Sequence, residues 1–119
     1  MIQIPVFNDT SADFEQQITL EAQTLSLRIH WNGRGSHWYL DIQTQEGQDI
    51  LTGRKLVPVI PVCYSHRAIA SQIKGDFVLL PETDQSPEYP TFEGLGTTHN
   101  LYWLNPTELE EYEAALGIN

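Results

Sequence analysis

Along the first half of the chain, apolar and polar residues alternate with the period of two that a β-strand shows when one face is buried. The clearest case is Leu25, Leu27, Ile29 and Trp31, with Ser26, Arg28 and His30 between them. Phe14, Gln16, Ile18 and Leu20 form an earlier run of the same period. Ile2, Ile4 and Val6 form a shorter one, where Pro5 suits an edge position. After Asn32-Gly33-Arg34-Gly35-Ser36, the stretch from His37 to Thr44 alternates again. It puts Trp38, Leu40 and Ile42 on one face and His37, Tyr39 and Asp41 on the other. Asn-Gly readily takes the positive φ angles of a primed turn, so a hairpin bent at Asn32-Gly33 is predicted, with Arg28 opposite Asp41. Asn8 to Ser11 reads as a turn cluster and Glu21 to Thr24 as a tight link. Gln45-Glu46-Gly47-Gln48 is a further turn leading to Ile50 and Leu51, and Gly53 interrupts the run beyond them. Phe14 to Gly53 is therefore expected to be a meander of about four antiparallel strands.

Beyond Gly53 the alternation weakens. Leu56 to Val62 is apolar and β-branched, but Pro58 and Pro61 forbid a central strand, leaving a buried extended edge segment or a connecting loop. His66 to Ile73 suits one or two helical turns. Phe77 to Leu80 and Leu101 to Leu104 read as short strands, separated in part by a polar loop, Pro81 to Pro90, with three prolines. At the end, Thr107-Glu108-Leu109-Glu110 matches a capping box with Thr107 as N-cap, and Gly117 supplies a stop. Leu109, Tyr112, Ala115 and Leu116 share one face of the resulting helix. A helix of roughly ten residues is marginal alone and must pack on something. Leu109, Tyr112 and Leu116 are expected to form a partner-docking stripe. The fold class expected is all-β, a mainly antiparallel meander in a small barrel or sandwich, with a short C-terminal α-helix. A β-rich domain spans residues 1–105 and an acidic helix or tail spans 106–119.

Composition narrows the function. A chain of 119 residues builds one core, and no apolar run reaches the roughly 20 residues of a membrane span. Met1 to Pro5 lacks the basic region and following apolar stretch of a signal peptide. The one cysteine, Cys63, allows no intrachain disulfide, which points to a reducing compartment. The net charge is −10, from six Lys plus Arg against sixteen Asp plus Glu. Such a balance argues against nucleic acid and anionic membranes as partners. All six cations lie between Arg28 and Lys74, whereas residues 81–119 carry eight acids and no cation. That acidic stretch reads either as a solvated face or as a docking surface for a basic partner.

Candidate chemistry is sparse. His30 and His37 flank the hairpin with Asp41 as the nearest third ligand, but no second ligand cluster accompanies them, so no metal site is expected. Cys63 sits among apolar residues, where a thiol stays protonated, and His66 nearby does not by itself make a dyad. The serines lack a Gly-x-Ser-x-Gly setting, and Gly33-Arg34-Gly35 is not a phosphate loop. No catalytic residue, cofactor or small-molecule substrate is expected. Trp31, Trp38, Tyr39, Tyr102 and Trp103 offer stacking surfaces in principle, so a small β-barrel ligand- or carbohydrate-binding module is the alternative reading. Trp31 and Trp38 fall on apolar strand faces, which places them in the core.

The order of these features resembles a known family. It runs from Leu27-Arg28-Ile29-His30-Trp31, through the Asn32-Gly33-Arg34 turn, to Trp38-Tyr39-Leu40-Asp41-Ile42. Leu51-Thr52-Gly53, Gly75-Asp76-Phe77-Val78-Leu79, Leu95-Gly96 and Leu101-Tyr102-Trp103-Leu104 complete it. Over roughly residues 2 to 104 the chain is similar to the baseplate plug proteins of contractile-tailed bacteriophages, of the cyanophage type. The turn followed by Trp-Tyr-Leu-Asp is the most specific part, so Asn32, Gly33, Arg34, Trp38, Tyr39 and Asp41 form the structural hairpin motif. Residues 81–90 and 105–119 depart from the pattern. The resemblance implies a small all-β protein near the tail axis that catalyses nothing and touches hub and tail proteins. A homo-oligomer is compatible with it. Its place would be the virion, after assembly in the host cytoplasm.

Overall fold

The computed structural model describes residues 1–6, 13–20, 23–64 and 73–117. Seven strands and one helix lie among them: β1 (Ile2–Ile4), β2 (Asp13–Leu20), β3 (Gln23–Asn32), β4 (His37–Thr44), β5 (Asp49–Lys55), β6 (Asp76–Pro81), β7 (His99–Leu104) and α1 (Pro106–Leu116). The predicted turn at Asn8 to Ser11, residues 21–22 of the tight link and residues 66–72 of the predicted helical turns lie outside the described residues.

The meander forms as expected, as a four-stranded antiparallel sheet in the order β2-β3-β4-β5. A second, three-stranded antiparallel sheet has the order β1-β7-β6. The two sheets pack on one another and do not close into a barrel. One apolar cluster joins them: Leu27, Ile29, Trp38, Leu40 and Ile42 from the larger sheet meet Ile4, Phe77, Leu79, Leu101 and Trp103 from the smaller. The alternating residues of β3 and β4 are those turned inward, because only one face of the larger sheet is covered.

The smaller sheet is covered on both faces. Phe77 and Leu79 point to the shared core, while Val78 and Leu80 join Tyr102, Leu104, Leu109 and Tyr112 under α1. Continuous apolar runs at Phe77-Val78-Leu79-Leu80 and Leu101-Tyr102-Trp103-Leu104 are the mark of strands sandwiched this way.

Gly53 does not end its strand. β5 continues to Lys55 through register shifts against β4, with Gly53 at φ +68°, so the glycine serves an irregularity within the pairing. Residues 56–62 run beside β6 as a connecting segment: Val59 and Val62 N–H groups donate to the Leu79 and Phe77 carbonyls at 2.8 and 2.9 Å. The buried Asp76 carboxylate fastens its end by accepting from the Cys63 backbone N–H at 3.1 Å.

The helix is capped two residues earlier than predicted. Asn105, not Thr107, is the N-cap, accepting from the Glu108 N–H at 2.9 Å while Glu108 Oε1 accepts from the Asn105 N–H at 3.1 Å. The reason is local: Asn caps as well as Thr does, and Pro106 at the first helical position already holds helical φ. Gly117, at φ +75°, closes the helix as expected.

Candidate functional site

The hairpin motif is built on a register that pairs Trp31 with Trp38 and Asn32 with His37. Four residues, Gly33 to Ser36, therefore cross between the strands, and the expected primed turn at Asn32-Gly33 is not what forms. The Asn32 side chain caps the loop instead, accepting from the Arg34 and Gly35 N–H groups at 3.0 and 3.4 Å. The left-handed position falls on Ser36, at φ 56°, and Gly33 does not take a positive φ. Asn prefers to bond its own backbone two residues on, which competes with the primed geometry. A Cβ on Gly33 would meet only Trp31 Nε1, at 3.9 Å. Gly33→Ala is accordingly expected to shift stability by less than about 0.5 kcal/mol, as surface substitutions without strain do, which a urea melt checks.

Behind the turn, the solvent-side row of β3 and β4 forms a polar cluster around Asp41, which is largely buried. Asp41 Oδ1 accepts from the Gly53 N–H at 2.7 Å and lies 3.4 Å from His30 Nε2. Arg28 stands opposite Asp41 in the register, with its Nη1 3.6 Å from Oδ2. The guanidinium makes its shorter bonds to Asp13, at 2.5 and 3.0 Å, and the Arg28 bond holds the Asp13 carboxyl below its usual range. Asp41 thus ties the β5 irregularity to the hairpin, a geometric role. His30 stacks on Tyr39 at 5.9 Å. His37 stands apart from this cluster, edge-on to Tyr89 at 4.7 Å. No three His, Cys, Asp or Glu side chains converge among the described residues.

Trp38 and Trp103 are 0% and 1% exposed, so neither offers a stacking face to a sugar. Trp31 is half-buried, edge-on to Trp38 and Phe92.

Of the three residues read as a docking stripe, Leu109 is buried and Tyr112 is half-buried against β6 and β7. The Tyr112 hydroxyl donates to the Val59 carbonyl at 2.6 Å, and the Met1 ammonium pairs with Glu108. Only Leu116 of the three is exposed. Removing residues 106–119 uncovers Val78, Leu80, Tyr102 and Leu104 and is expected to lower the melting temperature by roughly 5–15 °C, the equivalent of about 2 kcal/mol at this size. An unchanged melt would mean that the helix adds nothing to the fold.

A cavity of about 330 Å³ opens between the 57–59 segment and the proline-rich loop, lined by Pro58, Val59, Ser86, Pro87, Tyr89 and His99 among others. Sequence reasoning missed it, although the three prolines of residues 81–90 signalled a stiff loop. Lys55 sits over the Tyr89 ring at 5.0 Å. His99 is fully buried, with Nδ1 2.9 Å from the Thr98 hydroxyl, and burial pushes its imidazole below the ordinary 6.5. The unfolded chain therefore takes up a proton near pH 6.5 that the folded chain refuses until lower pH. Stability should fall as the pH drops below about 6.5, while the contribution of Asp13 is fully present above its ordinary 3.8 and is lost only as the pH falls below that value. Melting temperatures from pH 7.5 to 5 check this, and His99→Gln should flatten that slope.

Comparison with known proteins places these features. The curated proteins gave no match to the chain. A family model described as Cyanophage baseplate Pam3 plug gp18 matches residues 1–107. The matched span takes in both sheets, the hairpin motif and the 81–90 loop, and stops within the first turn of α1. The chain belongs to the cyanophage baseplate plug family.

Proposed function

We propose that this protein is a structural component of a phage tail baseplate, seated near the tail axis against the hub and acting through protein–protein contact. The observation that carries the reading is the family match over residues 1–107. The interior supports it: the large side chains Trp38, Phe77 and Trp103 fill the core between the sheets, and Asp41 and Asp76 accept backbone N–H groups that hold the chain in place. The outer side of α1, with exposed Glu110 and Glu111, remains open to a basic partner surface, and such a contact would weaken with salt. The carbohydrate-binding alternative loses its platform with the burial of Trp38 and Trp103.

The test is to purify the virions, separate tails from heads and quantify this protein against the hub protein by mass spectrometry. A fixed ratio to the hub in the tail fraction, with antibody labelling at the baseplate end, is expected. Normal tails assembled without the protein would refute the proposal.

A further inference from the structure

Two open sheets present four edges, and exposed edges invite pairing with any extended chain. Three of the four are closed or blunted. β6 is flanked by residues 56–62 through the Val59 and Val62 N–H bonds. β1 is three residues long and is followed at once by Pro5. β5 carries register shifts and a positive-φ glycine, and ends in Arg54 and Lys55.

β2 has none of these devices. It runs for eight residues, roughly 26 Å, in unbroken register with β3. It contains no lysine, arginine, proline or glycine. No backbone hydrogen bond joins the outer side of residues 14–20 to any described residue. Since alternate residues of an edge strand aim their N–H and C=O groups away from the sheet, this side offers main-chain donors and acceptors in strand spacing. Its inward row, Phe14, Gln16, Ile18 and Leu20, borders the core, and its outward row is Asp13, Glu15, Gln17 and Thr19, acidic at one end.

We infer that the β2 edge is where this protein accepts a strand from a neighbouring baseplate protein, an extended segment whose apolar residues alternate with basic ones. The inference rests on the baseplate reading and deepens it by naming the surface and the partner chemistry. Main-chain pairing would supply the attachment, and alternate side chains the selectivity. The apolar residues would extend the Phe14–Ile18–Leu20 row, while lysines or arginines would lie beside Glu15 and Gln17. Asp13 already shares its carboxylate with Arg28. A second copy fits less well, because it would bring the same outward row of two acids and no cation.

The experiment compares hydrogen exchange in the free protein with exchange in intact tails. Alternate amides of residues 14–20 should exchange readily in the free protein and slow by roughly 100-fold or more in tails. Gln17→Lys, which places a cation on the outward row, should melt like the wild type yet enter tails several-fold less efficiently. Gln17→Glu should enter normally. If the protein is present in tails but β2 exchanges as in the free state, the inference fails and the baseplate reading stands. If the free protein sediments as a dimer with β2 already protected, the edge belongs to a second copy and the inference also fails. If the protein is absent from tails, the functional reading fails and takes the inference with it.

Discussion

Replacing Trp38 by alanine is expected to cost about 3–5 kcal/mol, a large fraction of the stability of a domain this size. The indole is fully buried and fastens the larger sheet to a distant loop. Phe92 stacks on it at 5.6 Å, and Trp31 and Phe14 meet it edge-on at 5.4 and 6.0 Å. Its Nε1 donates to the Thr91 carbonyl at 3.0 Å, across 53 residues of sequence. Truncation therefore removes a large apolar volume, dissolves three aromatic contacts and strips a partly buried carbonyl of its donor at once. Trp38→Phe separates these effects: it retains a ring beside Phe92 and loses mainly the N–H, for a smaller cost of about 1–3 kcal/mol. Urea denaturation of both variants measures the difference. An alanine variant within about 1 kcal/mol of wild type would mean that the residues 91–92 loop and the sheet are not joined through this ring.

Gly75→Ala is expected to be the second most damaging single change, at about 2–5 kcal/mol, although it adds one methyl group. Gly75 enters β6 at φ +130°, a conformation closed to residues with a Cβ. The added carbon would overlap the Leu104 carbonyl and stand 2.5 Å from Trp103 Cζ2. Neither neighbour can yield. Leu104 is backbone of β7, and Trp103 is buried edge-on against Phe77 at 5.0 Å. Gly47→Ala is the control: it also has positive φ, +92°, but nothing lies within 4 Å of its Cβ position. Gly47→Ala therefore carries backbone strain alone, and the gap between the two variants in a thermal melt reads the steric part. Equal losses would contradict the close packing of Gly75 on β7.

The β2-to-β5 meander was legible because its information is local. One covered face writes itself as period two, and facing strands joined by short links leave little choice of register. Trp38 in the core follows from that alternation alone, whereas Arg28 opposite Asp41 also needs the four-residue loop that sets the register. The order of features along the chain also resembles the family closely enough for the family to be recognised in the sequence. The details of turn and cap were less legible, because several residues compete for one role. Asn32 can enter a primed turn or cap a longer loop, and the Asn32–His37 pairing decides for the second. Asn105 and Thr107 are both good N-caps, and Pro106 tips the choice.

What tertiary structure alone decided depends on residues far apart in the chain. The apolar stripe of α1 shows that the helix must pack, but not on what. The answer lies in the outer faces of β6 and β7, whose continuous apolar runs needed a cover on both sides. The roles of Asp76, Val59 and Gly75 are likewise invisible in sequence, because each is set by contact with a segment brought in by the fold. The place of β2 at an edge of its sheet is the same kind of fact. Alternation identifies a strand, but only the strand order shows which strand lies outermost.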